Sequence, residues 1–156
     1  MTPVVAGAAF AEDRIDREAR IDKFVYEAPL FIKSKSLKEI KKIGKLKQEL
    51  TDKQPNNHDA TVTDTFITLR FDGLEIYGYL KSKETLCPIR ITITKPQWKI
   101  LNGLNVDTPS SRIIQILGQP NEEKKNIKKY CGETECVSFS EASGKITKIQ
   151  FNYYLD

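Results

Sequence analysis

The sequence predicts an α+β fold in which short helices pack on an antiparallel sheet. Three observations indicate this fold: a capped amphipathic helix before Pro120, an Asp72-Gly73 dipeptide between two strand-like runs, and apolar alternation in the segments that follow. A chain of 156 residues is long enough to bury a hydrophobic core. Its content of 39% hydrophobic and 29% charged residues is that of a globular domain and excludes wholesale disorder.

The N-terminal eleven residues are small and apolar, and the charged pair Glu12-Asp13 follows them. Such a run is typical of the end of a secretory signal peptide, although the usual basic residues before it are missing. The alternative is an ordinary terminal arm. Residues 12–23 alternate in charge and favour a helix with few apolar contacts. We therefore expect 1–23 to be a leader remnant with a peripheral helix and 24–156 to form one domain.

A second short helix is predicted to begin after Ser36. The residues from Ser36 to Glu39 match a capping box, and Gly44 suits the end of the helix. Leu37, Ile40 and Ile43 share one face. The same pattern also allows the helix to continue or resume from Leu46 to Leu50.

The Asp72-Gly73 turn is expected to join strands 65–71 and 74–80. The two-residue loop fixes which side chains oppose each other. On the inner face we expect Phe71 with Leu74, Leu69 with Ile76 and Ile67 with Gly78; on the outer face, Arg70 with Glu75, Thr68 with Tyr77 and Phe66 with Tyr79. A third strand should point Ile89, Ile91 and Ile93 inward and Arg90 outward. Trp98, in the connector that follows, is expected to be a packed lid between the halves.

The helix before Pro120 is expected to be specified at both ends. Thr108 should cap it, Pro109 should take the first helical position, and Gly118 should end it in a left-handed conformation. The predicted apolar stripe is Ile113, Ile114 and Leu117. The strands after it should direct inward the residues Val137, Phe139, Ile149, Phe151 and Tyr153.

The two predicted helices suggest an internal repeat. When Gly44 is aligned with Gly118, Ile40 falls on Ile114 and Ser34 falls on Thr108. The candidate repeats are residues 24–98 and 99–156. The alternative is chance agreement, because any two capped amphipathic helices can be aligned in this way.

The last third of the chain resembles proteins of the beta-lactamase inhibitor protein type and the small outer-membrane-assembly lipoproteins, which are built from tandem helix-and-sheet units. The matching residues are Gly103-Leu104-x-Val106-x-Thr108, Leu117-Gly118-x-Pro120, Tyr130 and Gly144-Lys145-Ile146. The resemblance implies a bacterial envelope or secreted module that binds another protein through the concave face of its sheet. The sequence departs from the lipoprotein branch because no cysteine that could carry a lipid lies near residue 1.

The three cysteines bear on the compartment. Cys131 and Cys136 flank a short turn, where opposed strand positions lie within reach of a disulfide, so we expect that bond in an exported protein. Reduced thiols are the alternative, and Cys87 could be buried, free or the true partner of either cysteine. A metal site is not expected, because the only histidine, His58, is distant from every cysteine in sequence.

No catalytic constellation is recognisable. A nucleophilic serine or cysteine needs a base, and His58, the only histidine, lies in a polar loop with no placed acid beside it. No phosphate- or dinucleotide-binding glycine motif is present. We therefore expect neither catalysis nor a cofactor. The net charge of +4 comes mainly from lysine runs at 33–47 and 124–129. These runs lack the arginines and interleaved aromatics typical of nucleic-acid interfaces, which makes solvated surface the simpler interpretation.

The outer face of the sheet carries the residues best suited to binding: Phe66, Arg70, Tyr77, Tyr79 and Arg90. The alternative is that another element covers this face, in which case the aromatics are core. We expect a non-enzymatic periplasmic or secreted protein-binding module, such as an enzyme inhibitor or the immunity partner of a toxin. An envelope-assembly accessory subunit is the second interpretation, and a basic cytosolic nucleic-acid-binding module is the third. The sequence does not specify an oligomeric state.

Overall fold

The computed structural model describes residues 12–154, so the expected leader at 1–11 lies outside the described residues. Within this range the helices are α1 Arg14–Glu27, α2 Leu37–Ile40 and α3 Ser111–Leu117, with a 3-10 turn at Leu101–Gly103. The strands are β1 Gln48–Pro55, β2 Thr63–Phe71, β3 Leu74–Leu80, β4 Leu86–Ile93, β5 Glu122–Lys124, β6 Ile127–Cys131, β7 Cys136–Ala142 and β8 Lys145–Asn152.

All eight strands form one antiparallel sheet in the order β1-β2-β3-β4-β8-β7-β6-β5. The α+β prediction is confirmed. Strands β1–β4 form one meander and β5–β8 form another, and the two meanders meet where β4 pairs with β8. The same order, a short helix followed by four strands, therefore occurs twice along the chain.

The predicted hairpin register between β2 and β3 is confirmed at all six residue pairs. Gly73 has a φ of 76°, which the tight turn requires. The turn is held from the side by Trp98, whose Nε1 donates to the Asp72 carbonyl oxygen at 2.7 Å. Trp98 also packs edge-on against Phe71 and Phe31. It is buried as expected, but these contacts lie in the first half of the chain and not between the halves.

The core lies on one face of the sheet. Alternate strand residues from both meanders join α1, α2 and α3 in a single buried cluster. Its members without exposed surface include Ile21, Val25, Leu69, Ile76, Ile91, Ile93, Leu104, Ile113, Tyr130, Val137, Phe139, Ile146, Ile149 and Phe151.

Helix α1 is not peripheral, which corrects the expectation for residues 12–23. It continues to Glu27, and Ile21 and Val25 have no exposed surface. The boundary expected after residue 23 therefore falls inside this helix. Asp22 also binds the β6–β7 turn, where its carboxylate accepts hydrogen bonds from the backbone N–H groups of Glu133 at 3.0 Å, Thr134 at 3.3 Å and Glu135 at 2.9 Å. Two of the three residues that bury α1, Phe24 and Val25, lie beyond the charged segment 12–23 that predicted it.

The expected disulfide joins Cys131 and Cys136, which oppose each other on β6 and β7 with their Cα atoms 4.2 Å apart. Cys87 on β4 is a free thiol. Asp22 and the disulfide fix the same turn, one from helix α1 and the other from within the hairpin.

Helix α2 begins as predicted but is shorter. Ser36 and Glu39 form the capping box, and Leu37 and Ile40 are buried. The helical continuation from Leu46 to Leu50 is wrong, because β1 begins at Gln48 and pairs with β2 along its whole length. Pairing with the neighbouring strand overrides the local helix preference of this segment.

The predicted N-terminus of α3 is wrong. Thr108 does not cap the helix; its hydroxyl donates to the Asn105 carbonyl oxygen at 2.6 Å, and α3 begins at Ser111. Pro109 precedes the helix and forms a bridge with Lys145. The backbone of Thr108 is bonded to Ile146, which holds this segment against β8.

The apolar stripe of α3 is narrower than expected. Ile113 and Leu117 are buried, whereas Ile114 is 37% exposed. Gly118 ends the helix with φ 81° and ψ −159°, and its N–H donates to the Ile114 carbonyl oxygen. The positive φ was expected, but this ψ lies outside the left-handed helical region. Tyr130 binds the same point, donating its hydroxyl to the Gly118 carbonyl oxygen at 2.6 Å.

We predict that Gly118→Val and Gly118→Asn each lower the free energy of unfolding by about 1–3 kcal/mol, because this backbone region is essentially restricted to glycine. No atom lies within 4 Å of an added Cβ, so the effect would come from the backbone alone. Urea unfolding measures it, with Gln115→Val on the exposed side of α3 as control. Full stability of the Asn variant would contradict the observed ψ.

Asp22→Ala should destabilise the protein by about 1–3 kcal/mol, because it removes the charged acceptor of three backbone N–H groups. Asp22→Asn, which keeps one acceptor oxygen, should have an intermediate effect. Lys23→Ala, at the next and exposed position of α1, is the matched control. Equal melting temperatures for the Ala variant and the control would show that Asp22 does not hold the turn.

Burial raises the pKa of Tyr130 to about 12. In the unfolded chain the phenol ionises near pH 10, so the stability contributed by its burial is complete below that pH and decreases as the pH rises toward 12. Tyr130→Phe should therefore reduce the loss of unfolding free energy between pH 8 and 11, while the exposed Tyr26→Phe should leave it unchanged. Parallel pH profiles for wild type and Tyr130→Phe would refute the assignment.

Candidate functional site: the open face of the sheet

No element within residues 12–154 covers the face of the sheet opposite the helices. The fully buried side chains all belong to the helix-covered face, to the helices or to the connections, and none comes from a strand residue of this opposite face. In the first meander this open face carries the five residues predicted from the sequence. We call them the aromatic patch: Phe66, Tyr77 and Tyr79, with Arg70 and Arg90.

The three aromatic rings contact one another across β2 and β3. Phe66 stacks on Tyr77 with ring centroids 6.1 Å apart and an interplanar angle of 11°. Tyr79 lies 5.9 Å from Phe66 at 52°. The hairpin register explains the cluster, because Phe66 opposes Tyr79 directly and Tyr77 lies at the diagonal position on the same face. Such pairs hold the rings in fixed orientations before any partner binds.

Arg90 extends the patch onto β4. It opposes Tyr77 in the strand register, and its guanidinium carbon lies 5.2 Å from the centroid of the Tyr77 ring. This is a cation–π contact. Arg90 Nη2 also lies 3.9 Å from Glu75 Oε1, so a carboxylate stands at the edge of the patch.

Arg70 is already engaged by its neighbours. Its Nε donates to Glu75 Oε2 at 2.8 Å, and its Nη1 donates to Gln48 Oε1 at 2.7 Å. Glu75 and Gln48 therefore already occupy the Arg70 guanidinium. The carboxylates of Glu75 and of Asp52, which opposes Phe66 on β1, lie beside the two guanidinium groups of the patch. The aromatic rings are therefore more available for new contacts than Arg70 is.

No element within residues 12–154 covers the aromatic patch, so its aromatics are not core in the described part of the chain. Phe66, Tyr77 and Tyr79 are partly exposed, and both arginines are exposed. Partly exposed, rigidly stacked aromatics offer contact area with little rotamer entropy to lose on binding.

The open face changes character across the sheet. In the second meander most of its residues are small or polar, including Ser138, Ser140, Gln150, Lys129 and Lys148. The exception is Ile127 on β6, which opposes Ser140 and has 44% of its surface exposed. Leu50 on β1 extends the apolar part at the other edge, with 43% of its surface exposed. Sequence reasoning missed Leu50 because a single apolar residue among polar ones gives no strand signal.

A separate cleft of about 440 Å³ lies where α1, the 29–35 segment, β4 and the C-terminal residues meet. Tyr26 and Tyr154 stand at it with 78% and 65% of their surface exposed, beside Lys33 and Lys35. Tyr153 forms another wall and donates its hydroxyl to the Val25 carbonyl oxygen at 2.9 Å. Sequence reasoning missed this cleft because its residues come from segments that lie far apart along the chain.

Two ionisable groups in the cleft are affected by their surroundings. Burial raises the pKa of Tyr153 above the ordinary range of a phenol. Burial, opposed by a hydrogen bond from the Tyr154 N–H, raises the pKa of the Glu135 carboxyl, and nearby Asp22 raises it further. Neither group faces a nucleophile or a second acid in an arrangement that resembles a catalytic pair.

Among residues 12–154, no group of three or more His, Cys, Asp or Glu side chains is placed to hold a metal ion. His58 lies in the β1–β2 loop, where its backbone N–H donates to Asn56 Oδ1 at 2.8 Å. No helix in the described part of the chain is long and apolar enough to cross a membrane. The absence of catalysis stays a prediction.

No protein-family model matches this chain, and a search of curated proteins finds no similar sequence. Among solved structures, the uncharacterized protein yfeY from Escherichia coli is similar, with a TM-score of 0.40 and 15% sequence identity over 76% of this chain and 90% of that one. A likeness this distant carries no argument about function.

Proposed function

We propose that this protein is non-enzymatic and binds another protein through the aromatic patch. The observation that carries the proposal is the stacked, partly exposed cluster of Phe66, Tyr77 and Tyr79 on a sheet face that no described element covers. Tyrosine and arginine are enriched among the residues that dominate protein–protein binding energy.

The Cys131–Cys136 disulfide supports a location outside the reducing cytosol. Within that class we propose the periplasm or the extracellular space. A binding module in such a compartment meets enzymes and toxins that must be neutralised, and we propose that the partner is one of these. The protein would then act as an enzyme inhibitor or as the immunity partner of a toxin.

The geometry of the patch suggests how it would bind. The rings of Phe66 and Tyr79 present a broad apolar surface, while the Tyr77 and Tyr79 hydroxyls supply hydrogen-bonding groups at its surface. Arg90 is fixed over Tyr77 and can receive a partner carboxylate, because its contact with Glu75 is long, at 3.9 Å. A complementary surface on the partner would be largely apolar with an acidic group near Arg90.

Replacing Tyr77 and Tyr79 together with Ala should weaken partner binding by about 2 kcal/mol or more, because it removes the centre of the patch. The fold should be retained, since both side chains lie on the open face. The partner is first recovered from the native envelope fraction on immobilised wild-type protein and identified, and its affinity for each variant is then measured by calorimetry.

Tyr26→Ala/Tyr154→Ala is the matched control, because it removes two exposed tyrosines from the cleft and leaves the patch intact. This control should bind the partner as the wild type does. Equal affinity of the Tyr77→Ala/Tyr79→Ala variant and the wild type would overturn the proposal. Loss of binding in the control alone would assign recognition to the cleft.

A further inference from the structure

The two edges of the sheet differ in length. The β5 edge has three residues, whereas β1 has eight, and all eight of its side chains are exposed. An edge strand of this length presents a row of backbone N–H and C=O groups to which another strand can pair. The chemistry of β1 identifies the strand that fits.

Alternate residues of β1 direct their backbone N–H and C=O groups toward β2, and the residues between them direct theirs toward the open edge, where a new strand could pair. Asn56, the next residue after the strand, donates its N–H to Val62 on the β2 side at 2.8 Å. The β1–β2 register is unbroken, so Asp52 and Leu50 also direct their backbone groups toward β2. The alternate residues Glu49, Thr51 and Lys53 direct theirs outward. Pro55, which has no N–H to offer, belongs to the same outward set.

The side chains of the outward set are arranged symmetrically. Glu49 and Lys53 lie on the same face of the strand, two residues to either side of Thr51, and they carry opposite charges. Glu49 also pairs with Lys41 of its own chain at 3.0 Å, so a lysine opposite it would share this carboxylate. In an antiparallel pair centred on Thr51, each Glu49 would therefore oppose a Lys53. The partner that best complements this edge is the edge itself.

We infer that β1 pairs antiparallel with β1 of a second copy of this chain, about a two-fold axis that is perpendicular to the sheet and passes midway between the two Thr51 residues. In this register Thr51 opposes Thr51, and Glu49 opposes Lys53 twice. All three opposed pairs are of the hydrogen-bonded type, which gives about six backbone hydrogen bonds between the copies. Two cross-strand ion pairs stand beside them.

Neighbouring registers fit less well. Centring the pair on Asp52 opposes two carboxylates and sets Glu49 against Pro55. Centring it on Leu50 opposes Lys47 and Lys53, which carry like charges. Centring it between two residues would oppose side chains from different faces of the sheet. Only the register centred on Thr51 satisfies both the backbone parity and the charges.

The pairing has a structural consequence. Because the axis is perpendicular to the sheet, the dimer has one continuous sheet with both open faces on the same side, and it presents two aromatic patches to one side of the molecule. A single strand pair buries less surface than a standard stable interface, so we expect a weak dimer with a dissociation constant on the order of 10–100 μM. This inference does not depend on the proposed function.

Sedimentation velocity at about 5–500 μM tests the pairing. The wild type should convert from monomer to dimer across this range. Glu49→Lys and Lys53→Glu each create two like-charge oppositions and should weaken the dimer about tenfold or more, whereas the double exchange Glu49→Lys/Lys53→Glu restores opposite charges and should recover it. Circular dichroism melting shows whether each variant is folded. A monomeric wild type at every concentration would overturn the inference, as would dimerisation that the charge changes leave unaltered.

Amide exchange measured by NMR gives an independent readout. The N–H groups of Glu49, Thr51 and Lys53 should become protected as the protein concentration rises, whereas those of Leu50 and Asp52 should be protected at every concentration. A dimer formed elsewhere, for example through the aromatic patch, would leave the outward amides in fast exchange, and this result would equally overturn the inference.

Discussion

The pairing of β4 with β8 is the contact on which the rest of the structure depends. Without this pairing, the last strand of each four-stranded meander would be an exposed edge, and each meander would have to bury its own apolar face separately. The antiparallel register sets Ile91 opposite Phe151 and Ile93 opposite Ile149, so the apolar residues of both meanders form one continuous inner face. Helices from both halves then cover that face, and a single core results.

One-sided burial also explains where binding groups can lie. A strand directs alternate side chains to opposite faces, so each residue that adds to the core places its neighbour on the open face. On β3, the core residues Ile76 and Gly78 fix Tyr77 and Tyr79 outward. The packing that stabilises the sheet thereby orients the aromatic patch, which explains why Phe66 and Tyr77 are stacked although no described element covers them.

The sequence predicts best where the signal is local. The Asp72-Gly73 turn determined the hairpin register and with it four of the five patch residues, because a two-residue loop leaves no freedom in strand pairing. Arg90, on β4, followed from the apolar alternation of the next strand. Strand β1 was missed, since its stability comes from bonds to β2 and not from its own apolar content. Lys128 was assigned to a solvated lysine run, yet it is buried on the inner face and paired with Glu141 at 2.9 Å. Lys128 points inward because it opposes Phe139 across β6 and β7. The pattern of charges along the sequence does not show which lysine of the run takes that position.

We propose that the protein contacts its partner through the aromatic patch on the open face of the first meander. Hydroxyl-radical footprinting of the protein, free and bound to its purified partner, tests this contact. We expect Tyr77, Tyr79 and Phe66 to be oxidised in the free protein and protected in the complex, while Tyr130 is protected in both because it is buried. Protection confined to Tyr26 and Tyr154, with the patch oxidised equally in both states, would contradict it.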